Sequence, residues 1–207
     1  MNSVLLRRHG ALLCAGLAAG GRGFLPLAAI GGGPSARQQR FEQSREFPYS
    51  RAQVFDVVAD IDKYCEFVPM CTSSAVLHGT RRIEKAASRD PGLREAAATD
   101  RHSLQAELGV GFPPFSERYT SSVVLERPWR IVATALPNGG VFRHMCTTWT
   151  FAEVPGNAAR TRVGFSIEYE FASMLHAQAA SLVFDKMARS NIAAYLARCG
   201  KLYGSPA

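Results

Sequence analysis

The histidines, cysteines and glycines of the chain form no recognisable catalytic or metal-binding motif. The five histidines are scattered, and none stands in HExxH or another ligand spacing. No pair of cysteines has the two-residue spacing of a zinc knuckle, and there is no GxSxG sequence. The Gly-rich runs at 20–23 and 31–33 belong to an N-terminal segment, so neither is a P-loop. We therefore expect no catalytic residue, no metal ligand and no catalytic cofactor.

Glu117 is the single residue whose type and position are most informative. Strand alternation places its carboxylate on the same face as Phe115 and Tyr119. Because a buried, unpaired carboxylate is costly, it needs a partner or a water-filled site. Three interpretations remain open: an ion pair with an arginine, a hydrogen bond near the head group of a ligand, or outward exposure through a strand irregularity. His144 is likewise either a satisfied structural histidine or a cavity residue.

Apolar and aromatic side chains share one face of several predicted strands, and together they predict the wall of an apolar cavity. Any one of them alone is better explained as packed core, but a collective apolar face opposite a helix is typical of a ligand site. Burial of a long apolar ligand would contribute about 0.8 kcal/mol per CH₂ group. Besides Glu117, the candidate residues are Val110, Phe112, Phe115, Tyr119, Trp149, Phe165, Ile167, Tyr169 and Phe171 from strands, and Leu175, Leu182, Val183 and Met187 from a helix.

A run of strands joined by short turns must position this face. Pro113-Pro114 marks one corner, and Pro137-Asn138-Gly139-Gly140 is a strong turn signal. Five consecutive strands of this kind are typical of an antiparallel meander with one buried face. Apolar alternation indicates these strands at 104–112, 115–125, 131–136, 141–151 and 163–171.

The remaining elements are a first strand, two short helices, a strand-like segment at 72–77 and a long final helix. The strand is predicted at 41–47, and Ser50 then has capping-box spacing to the glutamine three residues later. Asp60 and Asp62 suggest a second cap, and the long helix runs from Ser173 as N-cap to a stop at Gly200. These elements predict an α+β fold in which a curved antiparallel sheet wraps around the C-terminal helix and leaves a cavity.

The net charge of +7 is concentrated at the N-terminus. Residues 1–40 hold five arginines and no acid, which leaves +2 on the rest of the chain. An acid-free, Arg-containing segment predicts a mitochondrial targeting leader, with a secretory signal, an uncleaved tail or a membrane anchor as alternatives. The near-neutral remainder argues against nucleic acid as a partner.

A second segment of unusual composition lies inside the domain. Ten of the 22 residues at 80–101 are charged, with both signs present, which predicts an exposed insertion between two strands. The predicted organisation is therefore a leader at 1–40, a domain at 41–203 that carries this insertion, and a short tail at 204–207.

Several linked blocks of the sequence resemble the coenzyme Q-binding START-domain proteins of mitochondria. The resemblance covers about residues 41–203. The most recognisable block is Val110–Ser121, with sequence VGFPPFSERYTS. The other matching blocks are Phe47–Ser50, Val54–Asp60, Tyr64–Cys71 and Phe165–Phe171, together with Trp149, Phe184-Asp185 and Asn191.

This resemblance implies a helix-grip, START-like fold whose cavity takes ubiquinone. It also implies a peripheral protein on the matrix side of the mitochondrial inner membrane, acting as a lipid carrier or chaperone for respiration and coenzyme Q biosynthesis. Its partners would be ubiquinone, the membrane surface, and respiratory or coenzyme Q biosynthetic complexes. The chain departs from the family pattern at Met70, where we expect Trp, at Gln105, where we expect Lys, and in the longer 80–101 segment.

Apolar residues beside two turns are candidates for contact with a membrane or partner. These are Val68, Pro69, Met70, Phe112 and Pro113, which alternatively plug the mouth of the cavity. Two other functions remain open, because bacterial relatives of this fold resemble a ribosome-association inhibitor, and the fold also resembles polyketide cyclases and aromatases.

Overall fold

The computed structural model of the chain describes residues 38–84, 101–112, 115–137 and 142–204. The chain divides into two units, Met1–Gly33 and Pro34–Ala207, and every described residue belongs to the second. Nearly all of the predicted leader, most of the predicted insertion at 80–101, the corner Pro113-Pro114 and the end of the tail therefore lie outside the described residues.

One large antiparallel sheet forms the framework of the fold. Its strands are β1 (Gln38–Phe47), β2 (Cys71–Val76), β3 (Arg82–Glu84), β4 (Arg101–Phe112), β5 (Phe115–Glu126), β6 (Arg130–Ala135), β7 (Phe142–Val154) and β8 (Asn157–Phe171). They follow the order β1-β8-β7-β6-β5-β4-β2, and β3 pairs with β4. The consecutive pairing of β4 to β8 confirms the predicted meander. β1 begins three residues earlier than predicted, and β3 lies in the segment predicted to be a loop.

The first helix, α1 (Arg51–Ala59), begins as its sequence indicates. The side chain of Ser50 accepts a hydrogen bond from the Gln53 N–H, and the Gln53 side chain accepts one from the Ser50 N–H at 2.9 Å, which completes the capping box. A 3₁₀ helix, Ile61–Glu66, follows. Asp60 stands at the N-cap position, as predicted, but its side chain makes no capping hydrogen bond. Asp62 accepts a hydrogen bond from the Val76 N–H instead, at 2.6 Å, and so ties this helix to β2.

The long helix, α2 (Met174–Tyr203), extends past its predicted end. Gly200 remains helical, whereas Gly204 has a φ of +80° and its N–H donates to the Gly200 carbonyl at 3.0 Å. A left-handed residue at this position terminates a helix, and glycine adopts that conformation without steric cost. The stop signal is therefore the second glycine of the C-terminal segment.

The alternating burial of β8 shows why the sheet has one inner face. Every second residue from Thr161 to Phe171 is buried, while its neighbours are exposed or half-buried. α1 and α2 cover this inner face, and register shifts at Cys71/Ser73 and Phe142/His144 interrupt the ladder. Such irregularities bend the strands that contain them, which favours a curved sheet.

The outer surface of the fold is polar and rich in ion pairs. Arg162 pairs with Glu46 at 3.1 Å across β8 and β1, and Arg51 pairs with Glu153 at 2.9 Å. Charged side chains of this kind protect the edge strand β1 from pairing with another chain. Within the described ranges, no helix combines the length and apolar character needed to cross a membrane.

Candidate ligand-binding site

The sheet, the 3₁₀ helix and α2 surround a cavity of about 160 Å³. Most of its wall is apolar, as expected for a small-molecule site. The 3₁₀ helix and the loop after it contribute Ile61, Tyr64, Val68, Pro69 and Met70; β2 contributes Cys71, and α2 contributes Asn191 and Tyr195. The sheet contributes Leu108, Val110, Glu117, Tyr119, Ser121, Val123, Ile131, Ala133, Phe142, Met145, Thr147, Trp149, Phe165, Ile167 and Phe171.

Tyr195 is the centre of an aromatic cluster on one side of the cavity. Its ring lies edge-on to Tyr64 at 5.5 Å and to Phe67 at 5.2 Å, measured between ring centroids. It also contacts Trp149 at 4.7 Å, and Trp149 contacts Phe165 at 4.6 Å. Edge-to-face pairs of this kind stabilise a fixed arrangement of rings. The cluster therefore holds α2 at a set distance from β7 and β8.

A second aromatic cluster surrounds Phe142. Its ring lies at 90° to Tyr119 with centroids 5.4 Å apart, and it stacks on Phe171 at 5.2 Å. The register shift between Phe142 and His144 makes this contact possible, because it changes which residues of β7 face inward. His144 lies opposite Glu170 on β8 and is not part of the cavity wall.

The phenols in the wall remain protonated at neutral pH. Burial raises the pKa of Tyr64, Tyr119 and Tyr195 above the ordinary value for tyrosine. The Tyr64 hydroxyl donates a hydrogen bond to the Val58 carbonyl, and Tyr195 hydrogen-bonds to Tyr64. The hydroxyl groups of Tyr64 and Tyr195 therefore form a chain that ends on the backbone.

The loop that joins the 3₁₀ helix to β2 is held firmly against the cavity. Met70 has a φ of +62°, a conformation that is uncommon outside glycine, and its carbonyl accepts a hydrogen bond from the Gly111 N–H at 2.9 Å. Arg198 of α2 pairs with Glu66 at 3.0 Å and lies 5.3 Å from the ring of Phe67. The sheet and α2 thus both position this loop.

The wall contains polar side chains as well as rings. Ser121 is fully buried on β5, and its Oγ has no hydrogen-bond partner within the described part of the chain. The same holds for the buried Oδ1 of Asn191 on α2. Glu117 is half-buried in the wall, on the strand position paired with Val110 of β4. Buried polar atoms without partners are rare in native proteins, so this cavity has the features of a site for a ligand with polar groups.

A known protein family matches most of this chain. The model of the family described as polyketide cyclase / dehydrase and lipid transport matches residues 47–195, which include the 3₁₀ helix, all the strands from β2 to β8, and Asn191 and Tyr195. The chain belongs to this family. The family's helix-grip architecture is also seen in the Zhui aromatase/cyclase from a Streptomyces species, with a TM-score of 0.58 at 14% identity over 79% of this chain and 94% of that one.

Two curated relatives of the family differ in function. The mitochondrial coenzyme Q-binding protein COQ10 homolog B of Xenopus laevis is 33% identical over 189 residues, or 89% of this chain. The alignment covers 66% of that protein, slightly less than two thirds of its length. The ribosome association toxin RatA of Pseudomonas aeruginosa is 25% identical over 79% of this chain and 96% of its own. The resemblance to coenzyme Q-binding proteins found in the sequence is therefore confirmed.

The residues predicted from the sequence fall into three groups relative to this cavity. Tyr169 is buried beside the wall rather than in it, with its ring 5.3 Å from Phe171. The side chains of Phe112, Phe115, Leu175, Leu182, Val183 and Met187 lie outside the described part. Val110, Glu117, Tyr119, Trp149, Phe165, Ile167 and Phe171 line the cavity.

The residues predicted to contact a membrane or to plug the cavity mouth are only partly described. Val68, Pro69 and Met70 lie in the cavity wall, as expected if they close its mouth. Pro113 lies outside the described residues. Contact of any of them with a membrane stays a prediction.

Several wall residues were missing from the sequence-based candidates. Ser121 lies on the same strand face as Glu117 and Tyr119, so strand alternation alone could have placed this polar residue on the inner face. Asn191 and Tyr195 stand four positions apart on α2 and share a helix face, which spacing alone indicates. Within the described ranges, no group of three His, Cys, Asp or Glu side chains is placed to hold a metal ion.

Proposed function

We propose that the protein binds ubiquinone with the quinone ring in the cavity between the sheet and α2. The observation that carries this proposal is an apolar, aromatic cavity whose wall also presents the unpaired polar atoms of Ser121 and Asn191. A quinone ring has the matching character, since it is apolar on its faces and polar at its oxygens. The name of the frog relative, a coenzyme Q-binding protein, supports this ligand.

The size of the cavity suits the ring end of the molecule. A cavity of about 150 Å³ is known to accept benzene, and the cavity here has about 160 Å³. A polyprenyl tail needs additional room, so we propose that it follows α2 beyond the described wall or leaves through the loop at Val68–Met70. The ring would then be shielded from water while the tail remains available to a membrane.

We further propose that the protein acts in mitochondria as a carrier or chaperone of ubiquinone. The mitochondrial name of the frog relative and the acid-free, Arg-containing segment at 1–40 support this location. A carrier of this kind would deliver ubiquinone to respiratory or coenzyme Q biosynthetic complexes from the matrix side of the inner membrane.

The buried phenols of Tyr64 and Tyr195 provide no general base. Because burial raises the pKa of Tyr64 and Tyr195, neither phenol can serve as a base at neutral pH. The frog relative is named as a binding protein and not as an enzyme. We therefore propose a non-enzymatic role. Turnover of an added polyketide by the purified protein would contradict it.

Organic extraction of the purified full chain, followed by mass spectrometry, tests the ligand. We expect a polyprenyl benzoquinone or its reduced form at up to one molecule per chain. A folded protein that yields only phospholipid, or no lipid after incubation with ubiquinone, would contradict the proposal. Glu117→Gln serves as a probe of the head-group end, and we expect it to reduce quinone recovery more than it lowers the melting temperature.

The similarity to RatA favours one second candidate, an interaction protein of the ribosome. Such a protein would bind RNA through basic side chains, and its binding would weaken as salt is raised. Cosedimentation of the full chain with ribosomes at low and high salt tests this candidate. Salt-sensitive cosedimentation would support it, and its absence at low salt would contradict it.

A further inference from the structure

The unpaired polar atoms of the wall carry information about the chemical form of the ligand. Of the buried side-chain atoms without a hydrogen-bond partner in the described residues, Ser121 Oγ and Asn191 Oδ1 belong to the cavity wall. Leaving a buried donor or acceptor unsatisfied costs about 1–3 kcal/mol. Two such atoms at one cavity, one from the sheet and one from α2, indicate that a bound molecule satisfies them.

The two atoms differ in what they require. A serine hydroxyl both donates and accepts, so Ser121 can pair with either kind of group. The amide oxygen of Asn191 only accepts, so it needs a donor from the ligand. Tyr64 and Tyr195 do not meet this need, because Tyr64 donates to the Val58 carbonyl and Tyr195 hydrogen-bonds to Tyr64.

The quinone and hydroquinone forms of the proposed ligand differ in whether they can donate a hydrogen bond. The oxygens of a benzoquinone and its methoxy groups only accept hydrogen bonds. The reduced hydroquinone carries two O–H groups, each of which donates one bond and can also accept one. Only the hydroquinone can therefore satisfy an acceptor such as Asn191 Oδ1.

We propose that Ser121 and Asn191 form a head-group subsite that binds the hydroquinone form more tightly than the quinone. This inference rests on the proposed binding of ubiquinone. In the complex, one hydroquinone O–H donates to Asn191 Oδ1, and the hydroxyl of Ser121 pairs with a second ring oxygen. Tighter binding of the reduced form raises the midpoint potential of the bound couple, by about 30 mV for each tenfold preference in a two-electron couple.

Anaerobic titration of the full chain with decylubiquinone and with decylubiquinol tests the proposal. Trp149 lies in the wall and reports binding through its fluorescence. We expect the hydroquinone to bind at least tenfold more tightly than the quinone. We expect Asn191→Leu to remove that preference, by weakening hydroquinone binding about tenfold while changing quinone binding less than threefold. Ser121→Ala should weaken both forms.

The matched control is Ser122→Ala. Ser122 is the next residue of β5, with its side chain on the opposite face of the sheet and outside the cavity wall. We expect it to leave both affinities unchanged. Circular dichroism confirms that each variant is folded. The ratio of hydroquinone to quinone affinity in the wild-type chain tests the preference without any substitution.

Three other outcomes would overturn all or part of the inference. Equal or tighter binding of the quinone by the wild-type chain rejects the subsite, and the proposed function then stands without it. A preference for hydroquinone that survives both Asn191→Leu and Ser121→Ala rejects these residues as its source. If a folded wild-type chain binds neither form, the proposed function itself fails.

Discussion

Two regions of the inner face of the sheet, side by side on β7, are covered in different ways. At the closed end, Phe151 packs edge-on against Phe55 of α1 at 5.5 Å, and Phe47 and Val163 beside it are fully buried. At the cavity end, Trp149 contacts Tyr195 of α2 but also borders the cavity. Since Trp149 and Phe151 are two residues apart on one strand face, the difference comes from the helix that covers them.

The two ends also differ in whether their buried hydroxyl groups have hydrogen-bond partners. Thr161 and Ser121 are both fully buried hydroxyl residues. At the closed end, Thr161 donates to the Tyr49 carbonyl at 2.8 Å, whereas the hydroxyl of Ser121 at the cavity end has no partner in the described chain. At the closed end the buried hydroxyl thus has a partner, which stabilises the fold. At the cavity end the buried hydroxyl lies unpaired beside a void, which gives this end capacity for a ligand.

The largest expected effect comes from truncation of the closed end. Phe151→Ala should lower the free energy of unfolding by about 3–5 kcal/mol, because it removes a buried ring and leaves a void that a packed core cannot fill. Urea denaturation of the full chain measures this loss. The same variant, assayed where it is still folded, should keep its ubiquinone affinity within about threefold. A loss of stability below about 1 kcal/mol would show that this end is not closely packed.

Enlarging an alanine compares a fully packed position with the cavity wall by a matched pair of variants. Ala133 lines the cavity, whereas Ala106 is fully buried and is not part of the wall. Ala106→Leu should lower the free energy of unfolding by about 1–3 kcal/mol through overpacking. Ala133→Leu should change it by less than about 1 kcal/mol because the cavity has room, and it should weaken ubiquinone binding at least tenfold.

Thermal melts and ligand titration of the two alanine variants give a direct comparison. Equal destabilisation by both variants would contradict an accessible void at Ala133. If a folded Ala133→Leu protein binds ubiquinone as tightly as the wild type, the ligand does not bind in this cavity.

The strands and their inner face could be predicted because apolar and polar residues alternate along the strands of a sheet that has one buried side. Val163, Phe165 and Phe171 show this, since polar or small residues separate them along β8. Phe142 could not be predicted in this way. It faces the cavity only because the register shifts between it and His144, and such a shift depends on pairing with β8 rather than on local pattern.

The polar part of the site was harder to predict than its apolar part. Trp149 and Phe165 could be predicted from their size and from their positions in the strand alternation. Ser121, however, is a small residue whose importance appears only when its hydroxyl is known to be buried without a partner. Asn191 likewise depends on how α2 is rotated over the sheet. Unsatisfied hydrogen bonding is a property of the packed structure and not of residue type.

A smaller effect distinguishes the two buried hydroxyls. Thr161→Val should lower the free energy of unfolding by about 1–2 kcal/mol, because it leaves the Tyr49 carbonyl without its donor. Ser121→Ala should leave the stability of the ligand-free protein unchanged or raise it, because no hydrogen bond is lost and an unpaired buried group is removed. Denaturant titration without ligand measures both. Destabilisation by Ser121→Ala as large as that by Thr161→Val would show that Ser121 has a structural partner.

The smallest expected effect is a pH dependence at the closed end. Cys199 of α2 is fully buried, and burial raises the pKa of its thiol from 9.0 to about 12. The folded state therefore keeps this thiol protonated while the unfolded chain ionises, so its contribution to stability is present below pH 9 and is lost as the pH rises from 9 toward 12. By pH 9.5 the loss should be about 0.8 kcal/mol. Melting curves between pH 7 and 9.5 measure it, below the ordinary pKa of about 10 for tyrosine.

Cys199→Ala and Cys65→Ala form the matched pair for this measurement, since the Cys65 thiol is exposed. Cys199→Ala leaves a small void and lowers stability at every pH, so the slope with pH, and not the level, is the readout. We expect a flatter slope in Cys199→Ala and an unchanged slope in Cys65→Ala. An unchanged slope in Cys199→Ala would mean that its thiol reaches solvent, and the packing of α2 near its C-terminus would then be as open as the cavity end.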